Sequence, residues 1–477
     1  MKLFIAFLVL ANLFFNPANC AKKPLDRVKA EALLKKKCMD CHSMQTVYPW
    51  YYNFPIIKDL IDADVAKGRA MLDLEDSVFS INDDKEIPKP TLLKIKSAIV
   101  DNWMPPIPYR IMHWDKIINN DDKEVISAWV DRLEGKGIVP LPSIDELKVE
   151  RSLSEEKIAL GEKLYHDTRL SGDNSLSCAS CHDLAKGGTD QKQFSTGING
   201  AKGGINSPTV YNSVYNLKQF WDGRADTLEA QAHGPVHNPG EMGSNWQEVI
   251  TKLSQDAELM SMFKSAYAIN SPEEITGDMI ANAIAEYEQT LITPDSPFDN
   301  YLRGQETALS AEERKGYELF KKHQCATCHS GIAIGGQSFE LMGKQKDYFG
   351  DRAGGLNGLK TMPHKNEDNG RFNVTRKNSD KHKFKVPCLR NVELTYPYMH
   401  DGNVKSLQEA VRIMAEYQVG KKLSDEETTL IVKFLKTLTG TQHSAPQPSA
   451  LPEPANGTEA AVTGPKSPVG ATKARKL

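Results

Sequence analysis

The sequence predicts a mainly α fold: three small helical domains with long irregular loops between their helices. Three observations predict it. The 477 residues are about three times the ~150 of a typical domain. A Cys-x-x-Cys-His motif occurs three times, at Cys38–His42, Cys178–His182 and Cys325–His329, and helical patterns flank each copy. The glycine-containing stretches Gly187–Gly204 and Ala333–Gly358 are too irregular for helices.

The chain begins with Lys2 and an apolar run from Leu3 to Phe15, followed by Ala18-Asn19-Cys20-Ala21. This is the layout of a secretory signal, assigned to residues 1–20. Its 13 apolar-run residues fall short of the ~20 needed to span a bilayer, so cleavage near Cys20 is preferred to a retained anchor. A lipid on Cys20, with peripheral membrane association, stays open, although Pro17-Ala18-Asn19 matches a lipoprotein signal poorly.

Residues 21–140 form the first domain, 141–302 the second and 303–442 the third. Val125, Ala128, Trp129 and Leu133 mark a late helix in the first. In the second, Leu153-Ser154-Glu155-Glu156 leads through Gly161 to Leu164 and Tyr165. Ile280, Ile284, Tyr287 and Leu291 mark its late helix. The third repeats the plan: Ser310 and Glu313 have capping-box spacing, Gly316 precedes Leu319 and Phe320, and Ile431, Phe434, Leu435 and Leu438 close it. Each glycine is expected to let an early helix cross a late one closely. Breakers at Gly135–Pro142 and Thr293–Pro297 mark the boundaries. Residues 443–477, rich in Pro, Ala, Gly and Ser, are read as a disordered tail.

With 40% hydrophobic and 25% charged residues, wholesale disorder and a multi-span membrane protein are excluded. Net charge −3 gives no global field for nucleic acid, so no nucleic-acid partner is expected. The basic stretch Arg371–Lys385 is read as a solvated loop in preference to a dock for an acidic donor.

Six of the eight cysteines lie in the three motifs. Chance at this composition yields on the order of 0.003 such matches, so the motifs are read as c-type haem attachment sites. Cys38 and Cys41, Cys178 and Cys181, and Cys325 and Cys328 each sit three residues apart on a helical turn, where both thiols reach the haem vinyl groups. His42, His182 and His329 follow on the iron side. Structural zinc would pair Cys-x-x-Cys with a second half-site, and a redox pair needs no following histidine. Three covalent haems are therefore predicted, and a first helix crossing a last helix over a haem is the cytochrome c plan. Covalent haem is normally installed outside the cytoplasmic membrane, which agrees with the signal and predicts the periplasm of a Gram-negative bacterium. Cys388 is left as a buried free thiol.

Residues from Leu153 to Gly440, about 60% of the chain, resemble the bacterial di-haem cytochrome c peroxidase family. The resemblance rests on Gly187-Gly188-Thr189-Asp190, Asn206-Ser207-Pro208-Thr209-Val210, Gln219-Phe220-Trp221-Asp222-Gly223-Arg224, Gln231-Ala232-His233-Gly234-Pro235-Val236, Glu241-Met242, Thr293–Asp299 and Leu389-Arg390-Asn391-Val392, in order around both haem motifs. It implies reduction of hydrogen peroxide to water at the haem on Cys178, Cys181 and His182. The haem on Cys325, Cys328 and His329 would store an electron, with Met414 as its distal ligand, and His/Met ligation raises a haem's potential as that task requires. Met414 alone would read as core filler.

By the same resemblance Glu241 is the distal acid–base residue, Gln231 positions peroxide, Pro235 shapes the pocket and Trp221 lies on the path between haems. From the residues alone, Glu241 would be a loop carboxylate and Trp221 a core aromatic. Asn206, with the carbonyls of Thr395 and Pro397, matches an inter-domain calcium site, and oxygen donors suit calcium. The family suggests a homodimer, which the added front domain leaves open.

Two departures accompany the match. A histidine that caps the resting iron in many members is replaced here by Ile198, beside Asn199, so the peroxidatic haem is expected to be open and high-spin. The front domain, with Met104-Pro105-Pro106, is similar to that of tri-haem peroxidases. Met104, 62 residues past His42, is preferred over Met112 or His113 as sixth ligand. The electron donor is a small cytochrome c, a cupredoxin or quinol. The competing readings are a multihaem electron carrier and a maturation-type di-haem oxidase, which carries Tyr where Met414 stands.

Overall fold

A computed structural model describes residues 24–55, 57–81, 87, 89–100, 104–105, 109–110, 113–134, 153–356 and 359–441. The signal segment, Cys20, Met112, the linker 135–142 and the tail 443–477 lie outside these residues.

Three helix pairs organise the chain. Helix α1 (Leu25–Lys37), followed by α2 (Lys89–Val100), lies against α3 (Asn120–Glu134). They enclose Ala30, Leu34, Leu92, Ile95, Ile126, Trp129 and Val130. Arg27 is buried in this core with its charge paired: its guanidinium donates to Glu31 (2.7 Å) and to the Val78 carbonyl (3.3 Å).

Helix α4 (Glu155–Tyr165), followed by α5 (Leu228–His237), packs against α6 (Gly277–Glu288). Leu160, Leu164, Tyr165, Ile280, Ala283, Ile284 and Tyr287 form the contact. A Cβ on Gly161 would stand 1.9 Å from the Ala283 carbonyl oxygen, so the two backbones meet where no side chain fits. Helix α7 (Ala311–Lys322) repeats the geometry against α9 (Asp425–Lys436), with α8 (Leu407–Ile413) alongside. A Cβ on Gly316 would lie 2.0 Å from the Leu430 oxygen. The expected capping box is present: Ser310 Oγ accepts from Glu313 N–H (3.3 Å), and Glu313 Oε2 accepts from Ser310 N–H (2.7 Å).

Two expectations are corrected. The stretch from Ala333 onward is not wholly irregular. Phe339–Leu341 (β1) pairs antiparallel with Lys383–Lys385 (β2), Phe339 opposite Lys385. Residues Tyr348–Ala353 form a short helix capped by Asp347. A fourth apolar cluster of Tyr348, Phe349, Val404, Ile413 and Tyr417 supports these pieces. Buried Arg352 ties them together through Asp368 (2.6 Å) and Asp401 (2.8 Å).

The solvated-loop reading of Arg371–Lys385 holds for residues 376–379 and 381, which are exposed, and fails at the two ends of the stretch. Arg371 donates to the Asp222 carbonyl (2.9 Å), and Lys385 is only 6% exposed. The breaker at Thr293, just before the second boundary, is bonded on both sides. Its hydroxyl accepts from Asn212 (2.9 Å) and Asn391 (3.0 Å), one from each flanking core, and the residue is fully buried.

Candidate functional site

Each Cys-x-x-Cys-His motif lies on a helical turn whose thiols and imidazole face a cavity. The six cysteines are free, and burial pushes their thiols up, Cys38 and Cys325 to about 12. They are therefore neutral. Burial also lowers all three imidazoles, His329 to about 4. His42 Nδ1 lies 2.8 Å from the Leu72 carbonyl and His182 Nδ1 3.4 Å from that of Gly188. Donation from Nδ1 leaves each Nε2 lone pair free for a metal. Two thiols and one such imidazole on a largely apolar cavity fit a covalently attached haem.

The second motif opens on a cavity of about 180 Å³. Cys178, Cys181 and His182 line it together with Trp221, Gln231, Pro235 and Glu241. Helix α5, capped by Thr227, supplies Gln231 and Pro235. The turn beyond it supplies Glu241, whose backbone N–H donates to Asn238 O (3.0 Å). Glu241 Oε1 accepts from the Asn238 amide (2.8 Å). Burial raises its carboxyl above the usual range, against the opposing pull of Arg224 and Asn238. His182 is the only imidazole lining this cavity among the described residues. Ile198 donates its N–H to the Glu241 carbonyl (2.8 Å), so the loop in the capping histidine's place buttresses the acid-bearing turn.

Sequence reasoning missed a second acid here. Glu288, 5% exposed, lines the same cavity, and burial together with nearby Glu229 pushes it up to about 8. The signal was available, because Glu288 follows Ile284 by four residues on the apolar face of α6.

A larger cavity of about 450 Å³ receives both other motifs. Cys325, Cys328, His329 and Met414 line it, as do Cys41, His42 and Met104. Met414 begins a π-helical turn, Met414–Val419, that follows α8 directly, a local widening frequent at functional sites. Cys388 lines this cavity as a free thiol. A side pocket of about 110 Å³ adds Cys38, Pro105 and Tyr109 to the front motif, and Gln324 and Thr327 reach it from the third. His113 lines neither. Its Nε2 meets Tyr51 Oη (2.9 Å), its Nδ1 meets Tyr109 O (3.2 Å), and its ring stacks on Tyr109 at 4.0 Å. Lys94 of the front module pairs with Glu340, which also holds Lys344 (2.6 Å) beside Cys328.

Trp221 borders both the large and the peroxide-side cavities, and its Nε1 donates to the Asn206 carbonyl (2.8 Å). Asn206, Thr395 and Pro397 line the large cavity together. The Asn206 amide nitrogen is spent on the Lys192 carbonyl (2.9 Å), which turns the amide oxygen away from it.

Comparison with known proteins agrees with this anatomy. Residues 155–307 match the model of the di-haem cytochrome c peroxidase family, and residues 14–132 match that of a haem-binding domain. Cytochrome c peroxidase Ccp of Escherichia coli (strain K12) is 43% identical over 418 residues, 86% of each chain. Cytochrome c551 peroxidase of Nitrosomonas europaea is 42% identical over 63% of this chain and 84% of its own. A solved MauG-like protein associated with microbial copper homeostasis is 29% identical with a TM-score of 0.53, covering 63% of this chain and 93% of its own. A mainly helical chain with this motif set and this degree of similarity belongs to the di-haem cytochrome c peroxidase family.

Proposed function

We propose that the protein reduces hydrogen peroxide to water, H2O2 + 2 e⁻ + 2 H⁺ → 2 H2O, in the cavity behind Cys178, Cys181 and His182. The observation that carries this reading is the raised carboxyl of Glu241 sharing that cavity with Gln231 and, among the described residues, a single imidazole. Haem, when bound, supplies an iron with an exchangeable position and the electron transfer itself. Glu241 takes the proton from one peroxide oxygen and returns it to the other, a task suited to a carboxyl moved towards neutrality. Gln231 orients the peroxide by hydrogen bonding, and Pro235 with Val236 and Met242 keeps the wall dry.

Three haems, one per motif, belong to the same proposal. Met414 and Met104 would supply the sulfur ligands of the two haems held in the large cavity. Met104 is favoured over His113, whose ring nitrogens are both engaged. The front module would receive electrons and the third motif's site would store them, with Trp221, which borders both cavities, on the path to the site of Cys178, Cys181 and His182. A small cytochrome c, a cupredoxin or quinol supplies them. Calcium on Asn206 Oδ1 and the carbonyls of Thr395 and Pro397 would brace the junction, and a periplasmic homodimer completes the reading.

Of the alternatives, a maturation-type oxidase is disfavoured by Met414 in the cavity. A pure electron carrier would have no use for Glu241 and Gln231. Steady-state peroxide consumption by the haem-loaded protein, with reduced cytochrome and with quinol in parallel, tests the proposal. Turnover with one donor is expected, and turnover with neither contradicts it.

A further inference from the structure

Lys385 ends β2, and its backbone N–H donates to the Trp221 carbonyl (2.8 Å). Lys385 lines both the large cavity and the peroxide-side cavity, so it stands where the two meet. It is 6% exposed, and its ammonium has no hydrogen-bond or ion-pair partner among the described residues. A cation in that position is costly unless an anion accompanies it.

The other cations on these walls are already matched. Lys344 holds Glu340 at 2.6 Å, and Arg224 holds Asp222 at 3.1 Å while stacking over Phe220 at 3.5 Å. Burial outweighs the distant pull of Cys388 and Asp222, and the Lys385 amine is lowered to about 8. The protein alone thus leaves one buried amine short of a counter-charge. Each haem carries two propionate carboxylates with the opposite need, and a charge-assisted N–H···O bond satisfies both groups.

We propose that Lys385 is the carboxylate-binding residue that holds a haem propionate at the junction of the two cavities. It is a positioning residue. Its positive charge favours the reduced haem over the oxidised one, and its place on both cavities lets it bias how an electron is shared between two haems. The inference rests on the haem assignment of the preceding section, and it needs no peroxide for its test.

The test uses full-length, haem-loaded protein carrying Lys385→Met, with Lys385→Gln as a second neutral variant and Lys385→Arg as the charge-retaining control. Equilibrium redox titration followed by visible absorption is read together with the resonance Raman propionate-bending band. The neutral variants should shift one haem's reduction equilibrium at least about tenfold towards the oxidised form, about 59 mV for one electron. They should also displace the propionate band, and Lys385→Arg should restore both. Neutral variants with unchanged haem content, an equilibrium within about threefold of the parent's and an unmoved band would overturn the proposal. If the protein consumes peroxide and these readouts do not move, this inference alone fails. If they move in a protein that ignores peroxide, the enzyme reading fails and this one stands.

Discussion

The peroxide-side cavity and the large cavity begin from the same five-residue motif and differ in the wall facing the imidazole. Gln231, Pro235 and Glu241 share the cavity of His182, with no second imidazole among the described residues. In the cavity of His329 and His42 stand Met414 and Met104. A proton-handling wall suits bond cleavage, and a thioether wall suits electron storage. One attachment motif can therefore serve two chemistries, because the second half of each site comes from elsewhere in the chain. Glu241 lies 59 residues past His182, and Met414 lies 85 past His329.

The largest test of that contrast is Glu241→Gln. It should keep haem content and the absorption spectrum while lowering peroxide turnover about 10²- to 10⁴-fold. Unchanged turnover would remove the distinction between the two walls. On the other side, with Met414 as the proposed ligand, Met414→His would leave the third haem six-coordinate and should lower its potential by on the order of 100 mV or more. Potentiometric titration checks it, and an unaltered potential would return Met414 to the role of core filler.

Glu288 sharpens the comparison through pH. Its folded pKa, about 8, lies above its ordinary 4.5, so the folded state binds the proton more tightly. That contribution to stability is fully present below the unfolded value and is lost as pH rises from about 4.5 through 8. Glu288→Gln should therefore gain up to about 4 kcal/mol over the parent above pH 8 and almost nothing at pH 4.5. Thermal or denaturant unfolding of the two proteins at both pH values measures it. A gain that does not depend on pH would mean that the carboxyl is already ionised in the folded protein.

The smallest effect concerns what the two modules share. Gly161→Ala and Gly316→Ala each push a methyl into a carbonyl oxygen of the crossing helix, and each should cost roughly 1–3 kcal/mol. If only one variant is destabilised in denaturant melts, the two crossings are not equivalent.

Much of this was legible in the chain. Helical period and capping chemistry are local, so Ser310 with Glu313 and the apolar faces ending at Leu133, Leu291 and Leu438 located the helix pairs. Gly161 and Gly316 carried the crossing because only a missing side chain permits it. At the site, the family resemblance brought Glu241, Gln231 and Pro235 to one place, and the structure puts them on one cavity.

What escaped was non-local. Strands of three residues, Phe339–Leu341 and Lys383–Lys385, are too short for alternation to register. The burial of Lys385 depends on β1, more than forty residues upstream. Thr293 sits in a run of turn residues, yet hydrogen bonds from Asn212 and Asn391 bury it between two cores. Charge and turn content describe a segment in water, and neither reports which partner later removes the water.

On the proposal above, the haem on Cys178, Cys181 and His182 keeps an exchangeable iron position beneath Glu241. The most direct measurement is electron paramagnetic resonance of the oxidised haem-loaded protein, before and after one equivalent of peroxide. One high-spin signal is expected, from the haem on His182, which peroxide consumes while the others keep six ligands. Three low-spin haems that peroxide leaves untouched would contradict it.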